Sequence, residues 1–213
     1  MAQAVAHGGG HVTSTGTSNR KLMMWIFLGS ECLFFGSLIA TYLIFAGDVI
    51  HRGVGPFPHP VTINGEHHEG ILDIPLTSTS TFVLLMSSVT MVFAVYGAQH
   101  ARPKMMKLST LATIVLGVVF LGFQAFEFAT FYHEGLTLGT NLFGASFFVL
   151  TGFHGTHVAV GALYLASLLA ASFRRNGLGH EAGEHMEIAG LYWHFVDIVW
   201  IVIFTIIYLI PSE

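Results

Sequence analysis

Five long runs of apolar residues dominate the sequence, and short polar segments separate them. Each run reaches about 20 residues, which is the length that an α-helix needs to cross the hydrocarbon core of a bilayer. The pattern predicts five helices, with the bounds Leu22 to Ala46, Leu76 to Gln99, Leu108 to Tyr132, Leu142 to Phe173 and Ile188 to Ile210. We therefore expect an all-α membrane protein with five transmembrane helices.

The segments between these runs are short, and they indicate one domain. Residues 1–21 are rich in Gly, Ser and Thr and lack the apolar region of a cleavable signal peptide, so we expect a flexible tail. Residues 22–213 are predicted to form a single five-helix domain, because no connecting segment is long enough to fold alone. The longest segment, residues 47–75, is dense in Pro and Gly, and we expect a loop without regular structure there.

Basic residues fall almost entirely on one side of the predicted helices. The residues on that side are Arg20, Lys21, Arg102, Lys104, Lys107, Arg174 and Arg175, whereas the other side has only Arg52. Short loops that are rich in Lys and Arg stay in the cytoplasm. We therefore expect a cytoplasmic N-terminus, an outer loop at residues 47–75 and a C-terminus on the outside.

The composition agrees with a membrane protein and excludes other classes. The chain is 53% hydrophobic and 9% charged, whereas soluble domains are about 25% charged. Its net charge of −4 is small and spread out, so we expect no nucleic-acid partner. Cys32 is the single cysteine, so the chain forms no internal disulfide and has no Cys-x-x-Cys motif for zinc or redox chemistry.

Three groups of His and Glu lie outside the apolar runs. His7 and His11 are in the tail, residues 66–69 read Glu-His-His-Glu in the outer loop, and residues 180–187 hold two His and three Glu in the last connection. A metal ion could bind the 66–69 cluster, but adjacent polar residues in a loop more often face water. We interpret all three groups as solvated surface.

The deepest lone carboxyl group lies in the first run. Glu31 stands in the sequence GSECLFFG, far from both ends of the run, and no Lys or Arg is near it. Burial favours the neutral acid, which could donate one hydrogen bond. The carboxyl could handle protons or face lipid, or it could make a hydrogen bond that packs two helices. The sequence gives these two roles equal weight, because intramembrane carboxyl groups are seldom without function.

Helices 3, 4 and 5 each carry two polar residues that are three positions apart and so share a helix face. The six residues are Gln124, Glu127, His154, His157, His194 and Asp197. Small residues around the two histidines of helix 4 let neighbouring helices approach closely. We expect a structural role for the six, as one buried polar network that fixes the register of the helices, since each buried polar group needs a partner.

The spacing of these residues bears on other functions. Di-iron bundles use Glu-x-x-His on two helices, whereas this chain has His-x-x-His and His-x-x-Asp. Haem ligation needs only one or two histidines, so a haem-binding membrane protein stays open. Transporters often contain internal repeats, and no convincing repeat is present. The sequence therefore assigns no catalytic, metal-binding or cofactor-binding residue, although a small proton-coupled carrier that uses Glu31 remains an alternative function.

Five motifs resemble subunit III of the haem–copper terminal oxidases. They are GSECLFFG in helix 1, PLTSTSTFVLLMSS in helix 2, FQAFEF in helix 3, TGFHGTHV in helix 4 and YWHFVDIVWIVIF in helix 5. Their order and spacing also fit, so the resemblance covers nearly the whole membrane part. Mitochondrial-type members have seven helices and this chain starts where their third helix does, so the lipid cleft that the missing pair helps to form does not transfer directly.

The resemblance implies an accessory role in a proton-pumping complex that passes electrons to O₂. Subunit III holds no haem and no copper, which belong to partner subunits. It packs mainly on subunit I, with subunit II and a small subunit IV as further partners, and it supports proton uptake and the stability of subunit I. Membrane lipids, including a bound phospholipid, are the expected small-molecule partners. Glu31 matches the buried carboxyl that reacts with carbodiimides in the family.

The five-helix form also bears on location and electron donor. It occurs in bacterial cytochrome c oxidases and in quinol oxidases, so we expect a multi-pass protein of the bacterial plasma membrane. The donor, cytochrome c or quinol, is selected elsewhere in the complex.

Overall fold

A computed structural model describes residues 18–52, 61–63, 66–68, 70, 72–173 and 182–209. The five predicted helices are present, as α1 Asn19–Arg52, α2 Ile74–Gln99, α3 Pro103–His133, α4 Leu142–Ser172 and α5 Ala182–Phe204, and a π-helical turn, Thr205–Leu209, follows α5. Each of the five is long and apolar enough to cross a membrane. The expectation of an all-α membrane protein with five transmembrane helices is confirmed.

The helix ends follow capping residues rather than the limits of the apolar runs. Asp73 caps α2 by accepting a hydrogen bond from the Leu76 amide, at 3.0 Å. Asn141 caps α4 in the same way, accepting from the Gly144 amide at 2.6 Å. The helix α3 begins at Pro103, before the predicted start at Leu108, because its first turns carry basic residues that an apolar pattern leaves out.

The expectation of a loop without regular structure over residues 47–75 is wrong in two places. Helix α1 continues past Ala46 to Arg52. Two short strands, β1 Val61–Ile63 and β2 Glu66–His68, pair in antiparallel register with Val61 opposite His68. The dipeptide Asn-Gly between the strands favours a hairpin, and every proline of the segment lies outside residues 61–68.

Helices α2 to α5 form a four-helix core, and α1 packs on its outside. Helix α2 lies between α3 and α5, whereas α4 contacts α3, α5 and α1. Among residues 19–46 of α1, only a narrow stripe is buried. It consists of Leu28, Phe35 and Tyr42, which are seven residues apart on one face, and of Ala46 one turn further on. Most other side chains of residues 19–46 are apolar and either exposed or half-buried, including Leu33 at 78% exposure, and Cys32 is exposed as well.

Glycines bring three helices together around one indole ring. Trp193 of α5 lies between Gly117 of α3 and Gly161 of α4. A Cβ atom at Gly117 would lie 2.7 Å from the ring, and a Cβ at Gly161 would lie 3.1 Å from it. Both distances are too short for an unstrained contact, so only glycine at these positions lets the three helices close around Trp193.

Candidate functional site

Glu31 of α1 and His157 of α4 form a pair near the middle of the membrane span. Glu31 Oε2 lies 3.3 Å from His157 Nε2, and both side chains are more than four-fifths buried. The other ring nitrogen of His157, Nδ1, lies 2.7 Å from the carbonyl oxygen of Phe153. Phe35 packs edge-on against the imidazole, with the ring centroids 5.0 Å apart. The carboxyl therefore has a partner on another helix, which the sequence did not identify.

The contact with Phe153 orients the imidazole of His157. A carbonyl oxygen only accepts, so His157 Nδ1 donates in that contact. Glu31 Oε2 is buried and has no hydrogen-bond partner in the described residues, so its 3.3 Å separation from His157 Nε2 is a close approach rather than a hydrogen bond.

An apolar groove opens beside this pair on the surface of the bundle. It has a volume of about 350 Å³. Its lining residues come from α1, α4 and α5, and they are Met24, Phe27, Thr156, His157, Val160, Tyr164 and Tyr192. The Tyr192 hydroxyl donates to the His157 carbonyl oxygen at 3.0 Å, which fixes one wall. The groove brings a membrane-facing surface to the edge of the Glu31–His157 pair.

Glu127 lies in a separate buried group, at the end of the bundle where α3 ends and α2 begins. Its Oε1 accepts hydrogen bonds from Thr77 Oγ1 at 2.6 Å and from the Tyr208 hydroxyl at 2.9 Å. These bonds join α2, α3 and the π-helical turn after α5.

Gln124 and His154 are buried at the interface of α3 and α4. Gln124 Nε2 donates to the Thr151 carbonyl oxygen at 2.7 Å, and a Cβ atom at Gly155 would overlap the Gln124 amide. His154 is fully buried, and neither of its ring nitrogens has a hydrogen-bond partner. Its ring instead stacks on Trp200, with the centroids 4.8 Å apart. His154 therefore contributes aromatic packing.

His194 and Asp197 lie on one face of α5. His194 Nδ1 lies 2.6 Å from Ser88 Oγ of α2. The Asp197 side chain is buried, and its Oδ1 has no hydrogen-bond partner in the described part of the chain.

The six residues that were expected to form one network lie in four separate groups. No hydrogen bond joins any two of them, although all six belong to the described part of the chain. Hydroxyl groups of α2 contact two of the six, Thr77 with Glu127 and Ser88 with His194, and α2 hydroxyl groups also accept from two buried tryptophans of α5. Trp193 Nε1 donates to Ser87 at 3.0 Å and Trp200 Nε1 donates to Thr81 at 2.9 Å. The sequence signal for these partners was the spacing of Ser and Thr along one face of α2, in PLTSTSTFVLLMSS.

The polar residues at the start of α5 do not all face water, as had been expected of the last connection. Glu184 accepts a hydrogen bond from Ser18 at 2.5 Å, and Glu187 pairs with Lys21 at 2.7 Å. These contacts hold the first turns of α1 and α5 together. No cluster of three or more His, Cys, Asp or Glu suited to a metal occurs in the ranges that the structure describes. The tail histidines, Glu69, residues 180–181 and the side chains of 66–68 lie outside them.

The comparisons with known proteins bear on the whole chain. The family described as cytochrome c oxidase subunit III matches residues 2–212. The chain belongs to this family. A cytochrome c oxidase subunit 3 of Bacillus sp. (strain PS3) is 37% identical over 191 residues, which cover 90% of this chain and 86% of the relative.

Other members of the cytochrome c oxidase subunit III family match equally well. A probable quinol oxidase subunit 3 of Staphylococcus saprophyticus is 37% identical over 190 residues, covering 89% of this chain and 88% of the relative. A quinol oxidase subunit 3 of Bacillus spizizenii is 36% identical over 188 residues, covering 88% of this chain and 85% of the relative. The resemblance found in the motifs is confirmed, and neither comparison supports a stand-alone carrier.

Proposed function

We propose that this chain is an accessory subunit of a haem–copper terminal oxidase. The observation that carries the proposal is the family match over residues 2–212, together with relatives that are named as oxidase subunits and aligned over about 90% of the chain. The relatives include both cytochrome c and quinol oxidase subunits, so the electron donor is selected by other subunits. The chain itself carries no redox centre, and haem and copper belong to its partners.

The proposed partners are subunit I as the main contact, subunit II and a small subunit IV. In the complex, the chain supports proton uptake and the stability of subunit I. Membrane lipid is the proposed occupant of the groove beside His157, because this groove is apolar and opens toward the bilayer.

The proposed location is the bacterial plasma membrane, with the N-terminus in the cytoplasm and the C-terminus outside. Two contacts support this orientation. Lys21 at the start of α1 pairs with Glu187 of α5, and Gly183 of α5 lies against Gln99 at the end of α2. The start of α1, the α2–α3 turn and the start of α5 therefore lie at one end of the bundle. Most of the basic residues lie at this end, as the positive-inside rule requires of the cytoplasmic side.

The Glu31–His157 pair is the proposed proton-holding site of the chain. A carboxyl and an imidazole lie 3.3 Å apart within two membrane-spanning segments, and His157 also lines the groove. We propose that the pair adjusts the electrostatic field near subunit I during proton uptake.

The test is purification of the intact complex from membranes through a tag on this chain, followed by a visible spectrum and a subunit gel. The expected result is a set of reduced-haem bands together with larger membrane polypeptides. A colourless single chain that remains folded would overturn the proposal. Absorption bands from the isolated chain alone would instead indicate a haem-binding protein.

A further inference from the structure

His194 places a polar atom on the outer surface of the bundle in the middle of a span. The residue lies near the centre of the span Ala182–Leu209 and is only half-buried. The Ser88 hydroxyl of α2 forms a hydrogen bond with one ring nitrogen of His194, Nδ1. Nε2 makes no hydrogen bond to any residue in the described ranges, and it is accessible rather than enclosed. An imidazole nitrogen therefore faces whatever covers this side of the chain.

An apolar surface surrounds this nitrogen. Leu191, Ile198 and Ile201 lie on the same face of α5 as His194, because their spacing follows the helical repeat. Val92 lies one turn beyond Ser88 on α2. Ile198 and Val92 are 58% and 53% exposed. We call these five residues, Val92, Leu191, His194, Ile198 and Ile201, the α2–α5 outer surface.

Lipid is a poor neighbour for this surface. An unsatisfied polar group in the hydrocarbon core costs several kcal/mol. Exposed polar groups elsewhere avoid that cost within their own helix. Ser30 donates to the Phe27 carbonyl oxygen at 2.7 Å, Ser37 donates to that of Phe34 at 2.7 Å, and Thr156 donates to that of Gly152 at 2.9 Å. His194 Nε2 has no such internal acceptor or donor, so a protein neighbour is needed on this face.

We propose that the α2–α5 outer surface docks a transmembrane helix of another oxidase subunit, and that this helix presents a hydrogen-bonding side chain to His194 Nε2. The proposal rests on the proposed function, which requires a contact surface for a larger subunit. The Ser88 hydroxyl, 2.6 Å from Nδ1, holds the imidazole in one orientation. A fixed ring with one free nitrogen suits a single, directed bond across a helix–helix interface.

Photocrosslinking in the intact complex tests this directly. A photoreactive phenylalanine analogue replaces Ile198 in one sample and Leu33 of α1 in another, and both positions are exposed in mid-span. We expect the probe at Ile198 to form an adduct with a different, larger polypeptide, while Leu33 reports the background. An adduct of Ile198 with lipid alone would overturn the proposal. An adduct of twice the mass of this chain would overturn it in favour of a self-interface.

Substitutions provide a second, independent test. Ile198→Trp adds bulk on the outer surface without entering the core, and Leu33→Trp is its matched control. The readout is the ratio of tagged chain to haem after detergent washing. We expect Ile198→Trp to lower this ratio about tenfold, which corresponds to about 1.4 kcal/mol, and Leu33→Trp to leave it unchanged. Equal retention of haem by the two variants would overturn the proposal.

Two substitutions of His194 test the proposed hydrogen bond at Nε2. His194→Gln keeps a hydrogen-bonding group and is expected to retain the partner, whereas His194→Leu is expected to lose it. Equal retention by both would show that Nε2 does not direct docking. Purification of the chain without substitutions distinguishes failure of the proposed function from failure of the docking surface. If it carries no haem-bearing partner, the proposed function fails, and if it carries one that every variant retains, only the docking surface fails.

Discussion

Trp193 donates its indole N–H to Ser87 Oγ at 3.0 Å, and this bond joins two buried residues on α5 and α2. The Ser87 hydroxyl in turn donates to the Leu84 carbonyl oxygen at 2.6 Å. A single small hydroxyl thus satisfies a tryptophan that is otherwise enclosed by Gly117 and Gly161. Without Ser87, the indole N–H would be unpaired in the most tightly packed part of the bundle.

Ser87→Ala should therefore destabilise the bundle by about 1 kcal/mol, because it leaves the buried Trp193 N–H without an acceptor. The measurement is the thermal midpoint for loss of this chain from the purified complex in detergent. Ser37→Ala is the matched control, since its exposed hydroxyl bonds only to the Phe34 carbonyl oxygen of its own helix. Equal midpoints for both variants would show that the Trp193–Ser87 bond contributes no stability.

Two glycines of α3 differ in what a methyl group would meet. A Cβ at Gly117 would contact the Trp193 ring at 2.7 Å, whereas a Cβ at Gly122 would have no neighbour within 4 Å. Gly117→Ala should lower stability by about 1–3 kcal/mol through overpacking. Gly122→Ala should be neutral or slightly stabilising, because alanine favours the helix. Thermal unfolding of both variants gives the comparison, and a tolerated Gly117→Ala would contradict the close packing around Trp193.

The number and type of the helices could be predicted from the sequence, because each apolar run matches the thickness of a bilayer. The helix ends were harder to predict. Helix α3 extends five residues before Leu108 through a basic turn, since the end of a membrane-spanning helix can be polar and still helical. The hairpin after α1 was missed because the overall density of Pro and Gly in that segment concealed a local Asn-Gly signal.

The candidate site shows where prediction from sequence stops. Polar residues in the membrane could be recognised one by one, but their partners depend on how the helices are rotated. The spacing within one helix does not report this rotation. Glu31 was recognised as a buried carboxyl, yet its contact with His157 required the position of α1 against α4. Similarly, Glu127 was placed near histidines, whereas its partners are hydroxyl groups on α2 and on the π-helical turn.

Glu31→Gln should leave the complex assembled, because the neutral amide keeps hydrogen-bonding capacity toward His157. We also expect a hydrophobic carbodiimide, which reacts with protonated carboxyl groups, to label Glu31 and not Glu127. Glu31 lies beside the groove, while Glu127 is enclosed by α2, α3 and the π-helical turn.

Mass spectrometry of the labelled chain measures the modification at each carboxyl. The Glu31→Gln variant is the control and should show no label in α1. Labelling of Glu127 at the same rate as Glu31 would contradict the difference in access. Loss of the complex in Glu31→Gln would indicate that the carboxyl has a structural role.

Glu127 allows a double-mutant cycle, because Thr77 and Tyr208 donate to the same oxygen atom. Thr77→Val and Tyr208→Phe should each cost about 1 kcal/mol of stability. The double variant should cost more than their sum, because the last donor to a buried carboxyl matters more than the first.

The readout is again the thermal midpoint in detergent, with Thr79→Val as the control for the threonine change. Thr79 is exposed and donates only to the Pro75 carbonyl oxygen of its own helix. Additive losses would mean that Thr77 and Tyr208 act independently. A loss beyond additivity would show that Glu127 couples α2 to the end of α5, so that the last turn of the chain is held by a carboxyl on a third helix.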